Sequence, residues 1–564
     1  MKTSREKLSA LWVKLYGNAD NQLFDEVFKE IESLSVINTH KTNTADLQWY
    51  KNTVVYALYV DLFADNFTKL EQKLNYFRDL GISCLWLLPV LESPMKDAGF
   101  DVSNYRKIRS DLLGKGGDQS VFASFVEKAH SLGIRIIFDI AINHTSDQHP
   151  WFVEAKKSNK NPYREYYIWS ETATEYSDCR LLFEGMCPSN WEATGSGYYF
   201  HRFFEFQPDL NYKNPRVLAE MTGNFLFWAK QGVDGFRADA IPYLWKSEGT
   251  DCENLPETHL IVKFFRAALE FASPGTLLLA EACQAPAEVV KYLGDGDECQ
   301  AAYHFPLMPM IFKSLATESA EPVIEILKTS VTPAIPDLCQ WFTFLRLHDE
   351  MSLEKVYVNE ADRSLLYEYY CRKPEWDFRL GQGISARLSE LMEHNPMKIL
   401  LAFSIMLSLP GTPLIYYGDE FAKPNDESYF LSQSQITGYN DSRYYVRGKI
   451  DLEECRNKAR ENGTTTQIIF DNLKQMLSVR NCCRVFGNGD IRFMNYHPSL
   501  LIYQRKWLQE TMIFVHNLSN SWLAIPELSG LLNYEELLKH AITIDGQGMH
   551  IEPHGFFWFR LKTE

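Results

Sequence analysis

The sequence lacks any excess of positive charge. Its 564 residues contain 57 Lys and Arg against 73 Asp and Glu, which gives a formal net charge of −16. Proteins that bind nucleic acid or an anionic membrane surface present a basic face, so this balance argues against both partners. Long apolar runs are also missing. The longest uncharged run, residues 399–418, is interrupted by Pro410, Gly411 and Pro413, and it predicts a buried helix followed by a strand.

Cysteine is not scarce, but it lacks any paired spacing. Eleven cysteines are scattered along the chain, and none of them forms a zinc-type motif. This odd, unpaired set is typical of free thiols in a reducing cytosol, where cysteines serve as packing residues. Residues 1–7 also lack the apolar core of a signal peptide. We therefore expect a cytoplasmic protein with no membrane partner and no redox function in its cysteines.

Nucleotide-binding motifs, internal repeats and low-complexity tracts are absent as well. The glycine-rich stretch at 114–117 lacks the Walker spacing and predicts a loop. Aromatic residues, in contrast, are plentiful at 14% of the chain. Flat rings suit a site that stacks against sugars, although they are equally common in hydrophobic cores. The length predicts two or three domains.

Short apolar strands alternate with amphipathic helices through most of the chain. Strands are predicted at 54–60, 84–90, 134–142, 233–240, 276–282, 301–305, 340–347 and 413–417. Eight strands with helical connections predict an α/β fold, a (β/α)8 TIM barrel over residues 49–480. The segment from about 145 to 215 is too long for an ordinary connection and predicts an inserted subdomain beside the site.

The two ends of the chain have different patterns. Residues 1–48 have apolar positions at three- and four-residue steps, which predicts a helical N-terminal extension of unknown purpose. Residues 485–564 contain short alternating runs separated by turn signals, which predicts a C-terminal β-sandwich domain.

Polar side chains end several of the predicted strands. They are Asn143 and His144, Arg237 and Asp239, Glu281, and His348 and Asp349. In a parallel barrel such residues face one mouth, where barrel enzymes carry their chemistry. A single carboxylate of this kind could be structural, and Arg237 with Asp239 could be a buried ion pair. Three carboxylates, two histidines and an arginine at one face instead favour catalysis.

Glycoside transfer is the chemistry that requires such a cluster without a reactive cysteine, a metal motif or a phosphate loop. One ionised carboxylate attacks the anomeric carbon, and a second, protonated one donates to the leaving oxygen. Repulsion between the two helps to keep the second one protonated. A third can stabilise positive charge in the oxocarbenium-like transition state.

Four motifs, in this order, resemble those of the α-amylase superfamily, glycoside hydrolase family 13, over roughly residues 50–564. They are Ala141-Ile-Asn143-His144, Asp234-Gly-Phe-Arg237-Ala-Asp239-Ala, Leu279-Ala-Glu281 and Leu347-His348-Asp349. The resemblance implies that Asp239 is the nucleophile, Glu281 the general acid/base and Asp349 the transition-state stabiliser. It further implies retention of α configuration. The substrate-binding residues it implies are Asp101, Phe100, His144, Arg237 and His348.

Two central segments are Phe206-Gln-Pro-Asp209-Leu-Asn-Tyr212 and Gly294-Asp-Gly-Asp-Glu298-Cys. Through such segments the central part of the chain resembles, within the superfamily, trehalose synthases, which interconvert maltose and trehalose. Residues 420–455 and the helical N-terminus are more similar to amylosucrases, which use sucrose. That second resemblance implies a substrate-side ion pair between Asp61 and Arg447. The leading expectation is maltose–trehalose interconversion, and the alternative is a sucrose glucosyltransferase or hydrolase. A non-catalytic binding protein is a third reading, but such a relative should have lost one of the three carboxylates.

The resemblance also bears on metal. Trehalose synthases often hold calcium near positions that match Asn143 and Asp209. This chain has Lys246 nearby, and an ammonium group there could take the place of the cation. We therefore expect no bound calcium and no other cofactor, with a small α-glucoside (maltose, trehalose or sucrose) as the partner.

Overall fold

The computed structural model describes residues 4–17, 21–35, 47–525, 533–545 and 548–562. Eight parallel strands close into a barrel in chain order. They are β1 (Val55–Leu58), β2 (Cys84–Leu87), β3 (Arg135–Ala141), β4 (Gly235–Asp239), β5 (Leu277–Ala280), β6 (Ala301–Tyr303), β7 (Gln340–Phe344) and β8 (Thr412–Tyr416). Pairing of Val55 with both Cys84 and Leu414 closes the ring. The predicted TIM barrel and all eight predicted strands are confirmed.

The barrel strands are buried along almost their whole length, because helices cover the outer face and side chains fill the interior. Their ends differ slightly from the sequence prediction. The strand predicted at 54–60 ends at Leu58, since a short helix, Val60–Ala64, begins two residues later. The close approach of the neighbouring strand explains why residue 235 is a glycine. A Cβ there would lie 2.8 Å from the Cβ of Leu277 on the neighbouring strand.

Helices of ten or more residues are Ser4–Tyr16, Asn21–Leu34, Ser120–Ser131, Pro215–Lys230, Pro256–Ala272, Leu307–Ala316, Glu360–Tyr370, Pro396–Ser408, Glu427–Thr437 and Thr465–Cys482. Shorter ones are Val60–Ala64, Phe67–Gln72, Leu74–Leu80, Ser110–Leu113, Pro150–Ala155, Pro286–Val289, Glu321–Ile326, Leu388–Leu391, Leu452–Lys458 and Val485–Asn488. No helix in the described ranges is long and apolar enough to cross a membrane.

The two N-terminal helices pack on the outside of the barrel. Trp12 of Ser4–Tyr16 is buried and lies 5.8 Å, ring to ring, from Phe264 of Pro256–Ala272. Phe28 of Asn21–Leu34 makes a stacked contact with Phe271 at the same distance. Residues 1–3, 18–20 and 36–46 of the predicted N-terminal extension lie outside the described residues.

The long connection between β3 and Pro215–Lys230 contains a small antiparallel sheet of Trp169–Ser170, Trp191–Thr194 and Gly197–Phe200. Two further short ladders follow barrel strands. One pairs Leu91–Glu92 with Asn104–Ile108, and the other joins Met351–Ser352, Gly383–Ile384 and Asp377–Phe378. Residues of all three additions line the cavity at the barrel mouth.

The C-terminal part is an antiparallel sheet of six strands, β9 (Asp490–Met494), β10 (Leu500–Trp507), β11 (Glu510–Asn517), β12 (Leu523–Ile525), β13 (Tyr534–Asp545) and β14 (Gly548–Leu561). One set of its side chains forms a separate apolar cluster, and another set joins the barrel core. Trp558 links the sheet to the barrel, because its indole N–H donates to Oγ of Ser404, on the helix Pro396–Ser408, at 2.8 Å.

Candidate active site

A cavity of about 120 Å³ opens at the carboxyl ends of the barrel strands. Its lining combines apolar rings with charged side chains, as ligand sites commonly do. Six of the nine residues predicted from the sequence line it: Phe100, His144, Arg237, Asp239, Glu281 and Asp349. The other three, Asp101, His348 and Arg447, are buried around it.

Arg237 contacts three carboxylates at the base of the cavity. Side chains alternate along a strand, so Arg237 and Asp239 of β4 point to the same side. Arg237 Nη1 donates to Asp139 Oδ1 at 2.9 Å and to Asp239 in a short hydrogen bond. Its Nη2 lies 3.3 Å from Glu281 Oε1. Only 3% of the arginine side chain is exposed, so its charge is strongly felt by these partners.

Glu281 lies just after β5 and is held on its other oxygen. The peptide N–H of Ala240 donates to Glu281 Oε2 at 2.8 Å. Ala240 is in the left-handed region, with φ of +57°, an uncommon conformation for a residue other than glycine. Burial, together with the charge of Asp239, raises the pKa of Glu281 to about 7 against the opposing effect of Arg237. A carboxyl with that pKa can carry a proton at neutral pH.

Asp239 and Asp139 complete the group around Arg237. Burial raises the pKa of Asp239, but its direct hydrogen bond to Arg237 acts in the opposite direction and favours the ionised form. Asp139 lies deeper and accepts a hydrogen bond from the indole of Trp86 at 3.0 Å. Burial raises its pKa to about 7. The pKa of Asp239 is raised overall, so its ionised form depends on the hydrogen bond from Arg237.

Asp349 has a different environment from Asp239 and Glu281, the other two carboxylates predicted to be catalytic. His348 Nε2 lies 2.9 Å from its Oδ2, and the guanidinium groups of Arg443 and Arg447 lie 3.3 and 3.2 Å from its Oδ1. Burial alone would raise the pKa of Asp349, but these neighbours outweigh burial and hold it well below its ordinary value. Asp349 is therefore negatively charged at neutral pH.

Phe100, His348 and His144 surround these three carboxylates. Phe100 stacks on His348 with ring centroids 5.3 Å apart, and His348 lies behind it in contact with Asp349. Burial lowers the pKa of His348 to about 4, so its ring is neutral at pH 7. His144 lines the cavity directly and receives a hydrogen bond from the Gln207 amide at 3.3 Å.

The sequence-based choice of Asp101 does not fit the structure. Asp101 is fully buried and stabilises a turn, accepting hydrogen bonds from Ser93 Oγ and from the backbone N–H groups of Lys96 and Asp97. Asp97, at the other end of the same Asp-Ala-Gly-Phe-Asp stretch, lines the cavity instead. The stretch named from the sequence therefore reaches the cavity through Asp97 and not through Asp101.

The expected ion pair between Asp61 and Arg447 is likewise replaced by other contacts. Asp61 lies 3.2 Å from Arg109, while Arg447 donates to the carbonyl of His348 at 3.0 Å and approaches Asp349. Arg443 is the residue that the sequence analysis missed. It lines the cavity, with Nη2 3.1 Å from Asp97 Oδ1 and 2.6 Å from Asp441 Oδ2. The feature of the sequence that could have indicated Arg443 is its position two residues after the acidic Asp441.

Apolar and ionic side chains also line the cavity. The apolar ones are Leu182, Phe183, Phe203, Phe305 and Phe378. Glu354 and Arg379 line it as well, and they belong to a chain of ionic contacts between separate loops. Glu354 accepts from Arg379 at 2.6 Å and from Arg180 at 3.5 Å, and Arg180 also donates to Glu253 at 2.9 Å. Arg202 and Gln284 donate to the same Glu253.

Lys246 occupies the place where the resemblance to trehalose synthases implied a calcium site. Lys246 Nζ lies 2.7 Å from Asp209 Oδ2 and 2.7 Å from Asn143 Oδ1. All three residues are buried. The ammonium group thus uses the oxygen atoms that would ligate a metal, and the residues present do not fit calcium. Within the described ranges no group of three His, Cys, Asp or Glu side chains could hold a metal ion.

Comparisons with known proteins agree with this geometry. Residues 64–370 match the α-amylase catalytic domain family. The trehalose synthase/amylase TreS of Mycolicibacterium smegmatis is 36% identical, with 93% of this chain and 94% of that protein covered. The trehalose synthase/amylase TreS of Mycobacterium tuberculosis is 37% identical over 92% of this chain and 91% of its own. The isomaltulose synthase structure from Klebsiella sp. LX3 shares the fold, with a TM-score of 0.69 at 20% identity, covering 91% of this chain and 99% of that one. The chain belongs to the α-amylase family.

Proposed function

We propose that this protein is an α-retaining transglucosidase that acts on small α-glucosides, with interconversion of maltose and trehalose as its leading activity. The observation that carries the mechanism is that Asp239 and Glu281 contact the same guanidinium, that of Arg237. Carboxylates that share one guanidinium lie close together, which favours the narrow spacing of retaining enzymes over the wider spacing that holds a water in inverting ones. Direct attack by one of them is the route that this spacing supports.

In the first step Asp239 attacks the anomeric carbon while Glu281 transfers its proton to the leaving glycosidic oxygen. Asp349 stabilises the positive charge that develops on the sugar ring. Arg237 keeps Asp239 ionised, and His144, which lines the cavity, offers a hydrogen-bond partner to sugar hydroxyls. In the second step Glu281, now ionised, removes a proton from the incoming hydroxyl. Two inversions give overall retention.

The choice of maltose and trehalose is supported by two different facts. Relatives at 36 and 37% identity over more than nine-tenths of this chain are named trehalose synthase/amylase. The ionic chain that reaches the cavity through Glu354 and Arg379 also joins four separate loops, which favours retention of the released glucose over its replacement by water. Retained glucose can turn and attack through another hydroxyl.

Sucrose is the alternative donor, because residues 438–447 resemble the amylosucrase pattern and supply both arginines that contact Asp349. A cytoplasmic location and the absence of a calcium requirement are parts of the same proposal. They are supported by eleven unpaired thiols and by the position of Lys246.

Product analysis by carbon NMR tests the proposal. Purified protein is incubated separately with maltose, trehalose and sucrose. Trehalose from maltose, and maltose from trehalose, are the expected products. Fructose or glucan from sucrose alone would replace the leading activity by the alternative. Turnover that survives Asp239→Asn would contradict the assigned nucleophile.

A further inference from the structure

Glu253 is a buried carboxylate on which separate segments of the chain converge. It lies in the connection after β4, and only 6% of its side chain is exposed. Arg180 donates to it at 2.9 and 3.3 Å, Arg202 at 2.6 Å and Gln284 at 2.8 Å. Burial alone would raise the pKa of Glu253, but these donors outweigh burial and lower it. One ionised carboxylate thus joins the inserted segment, which carries both arginines, to the loop after β5.

Glu253 does not line the cavity itself, but residues next to its two arginines do. Leu182 lies two residues after Arg180, and Phe203 directly follows Arg202. Leu182 shares a small apolar cluster with Ala240, and Phe203 packs against that cluster. The inserted segment is therefore in contact with the residue whose peptide N–H holds Oε2 of Glu281.

The loop after β5 reaches the other oxygen of Glu281. Cys283 lines the cavity, and its Sγ lies 3.9 Å from Glu281 Oε1. The next residue, Gln284, folds back on the chain, because its backbone N–H donates to the carbonyl of Ala282 at 2.9 Å. The Gln284 side chain then donates to Glu253. The contacts of Glu253 therefore reach Glu281 from two directions.

We propose that Glu253 is a positioning residue for the acid/base Glu281, which it holds through the inserted segment on one side and through the loop after β5 on the other. This inference rests on the proposed function, in which Glu281 transfers the proton. A general acid must lie within hydrogen-bond distance of the oxygen that it protonates, and a displacement of about 1 Å can cost about 10²-fold in rate. Loss of the Glu253 carboxylate should therefore slow proton transfer to the leaving group more than any other step.

The test compares two glucosyl donors in Glu253→Gln, a variant that keeps the shape of the side chain and removes its charge. The leaving sugar of maltose needs a proton, whereas the leaving group of p-nitrophenyl α-glucoside needs none. We expect kcat/KM to fall about tenfold or more for maltose and no more than about twofold for the p-nitrophenyl substrate. Equal losses for both donors would overturn the proposal, because a purely structural role affects both alike.

Glu298→Gln is the matched control. Glu298 is an equally buried carboxylate before β6, with His259 at 2.9 Å and Lys263 at 3.8 Å, and it does not line the cavity. Its loss should lower the melting temperature and leave the ratio of the two kcat/KM values unchanged. Should Glu253→Gln fold poorly, Glu253→Asp, which keeps the charge on a shorter side chain, takes its place and should change the ratio in the same direction.

A second measurement needs no turnover. The whole protein is treated with N-ethylmaleimide for increasing times, digested and analysed by mass spectrometry, with the exposed Cys482 as the internal reference. Labelling of Cys283 relative to Cys482 should become several-fold faster in Glu253→Gln and stay unchanged in Glu298→Gln. An unchanged rate in Glu253→Gln would overturn the proposal. If maltose proves not to be a substrate, the proposed function fails, and this rate still decides whether Glu253 holds the loop beside Glu281.

Discussion

Arg443 Nη2 lies 3.1 Å from Asp97 Oδ1, and the same guanidinium approaches Asp349. This arginine therefore joins an acidic residue from the loop after β2 to the predicted transition-state stabiliser after β7. It is almost fully buried, so each carboxylate depends on it for charge balance.

Replacing Arg443 by lysine should lower kcat/KM for maltose by about 10²-fold or more. The reason is that a single ammonium group cannot replace a planar guanidinium that contacts several carboxylates at once. Arg460→Lys, in the exposed turn after the helix Leu452–Lys458, is the matched control and should leave the kinetics unchanged. Equal kinetics for Arg443→Lys and the control would contradict a role for Arg443 in the site.

The raised pKa of Glu281 predicts the alkaline limb of the pH profile. Glu281 must be protonated to act as the acid, and its pKa is about 7 because of burial and the charge of Asp239. Accordingly kcat/KM for maltose should fall as the pH rises through about 7.

The control is p-nitrophenyl α-glucoside, whose leaving group needs no proton. The rate at which it forms the glucosyl-enzyme should not fall in this pH range. A fall near pH 7 with both substrates would show that a group other than Glu281 causes it.

Glu350 lines the cavity, and burial together with Asp349 raises its pKa to about 7 from an ordinary 4.5. Since the folded pKa exceeds the unfolded one, its contribution to stability is fully present below pH 4.5 and is lost as the pH rises through about 7. Glu350→Gln should therefore raise the melting temperature above neutral pH and have little effect in mild acid. Thermal unfolding on both sides of pH 7 checks this, with the exposed Glu461→Gln as control. A pH-independent difference would contradict it.

The buried contact of Lys246 with Asp209 and Asn143 predicts insensitivity to chelators. Treatment with EDTA should change neither activity nor melting temperature. Lys246→Met should destabilise the fold by about 3–5 kcal/mol, because it leaves the Asp209 carboxylate buried without a cation. Lys230→Met, at an exposed helix end, is the control. A melting temperature that falls with EDTA in the unaltered protein would show that a metal is bound after all.

Most of the fold could be predicted from the sequence, because each barrel strand is a short apolar run between helices with clear ends. What failed was local. Residues 67–80 have one continuous helical pattern, yet the helix breaks at Lys73, where φ is −95° and ψ is 0°. Apolar spacing carries no information about such a change in backbone direction.

The sequence does not distinguish between two similar side chains within one loop. Asp97 and Asp101 are four residues apart in a turn, and only the three-dimensional path of that turn decides which one faces the cavity. Arg443 and Arg447 present the same problem in residues 438–447. The carboxylates at strand ends were easier, because a strand fixes the direction of its last side chains.

The central claim is that Asp239 forms a covalent bond to glucose while Glu281 handles the proton. Trapping tests it most directly: protein carrying Glu281→Gln is treated with 5-fluoro-α-glucosyl fluoride, digested and analysed by mass spectrometry. The account predicts one fluoroglucosyl residue on the peptide that contains Asp239, and none when Asp239→Asn is added. A label on another carboxylate, or inverted product without any trapped intermediate, would contradict it.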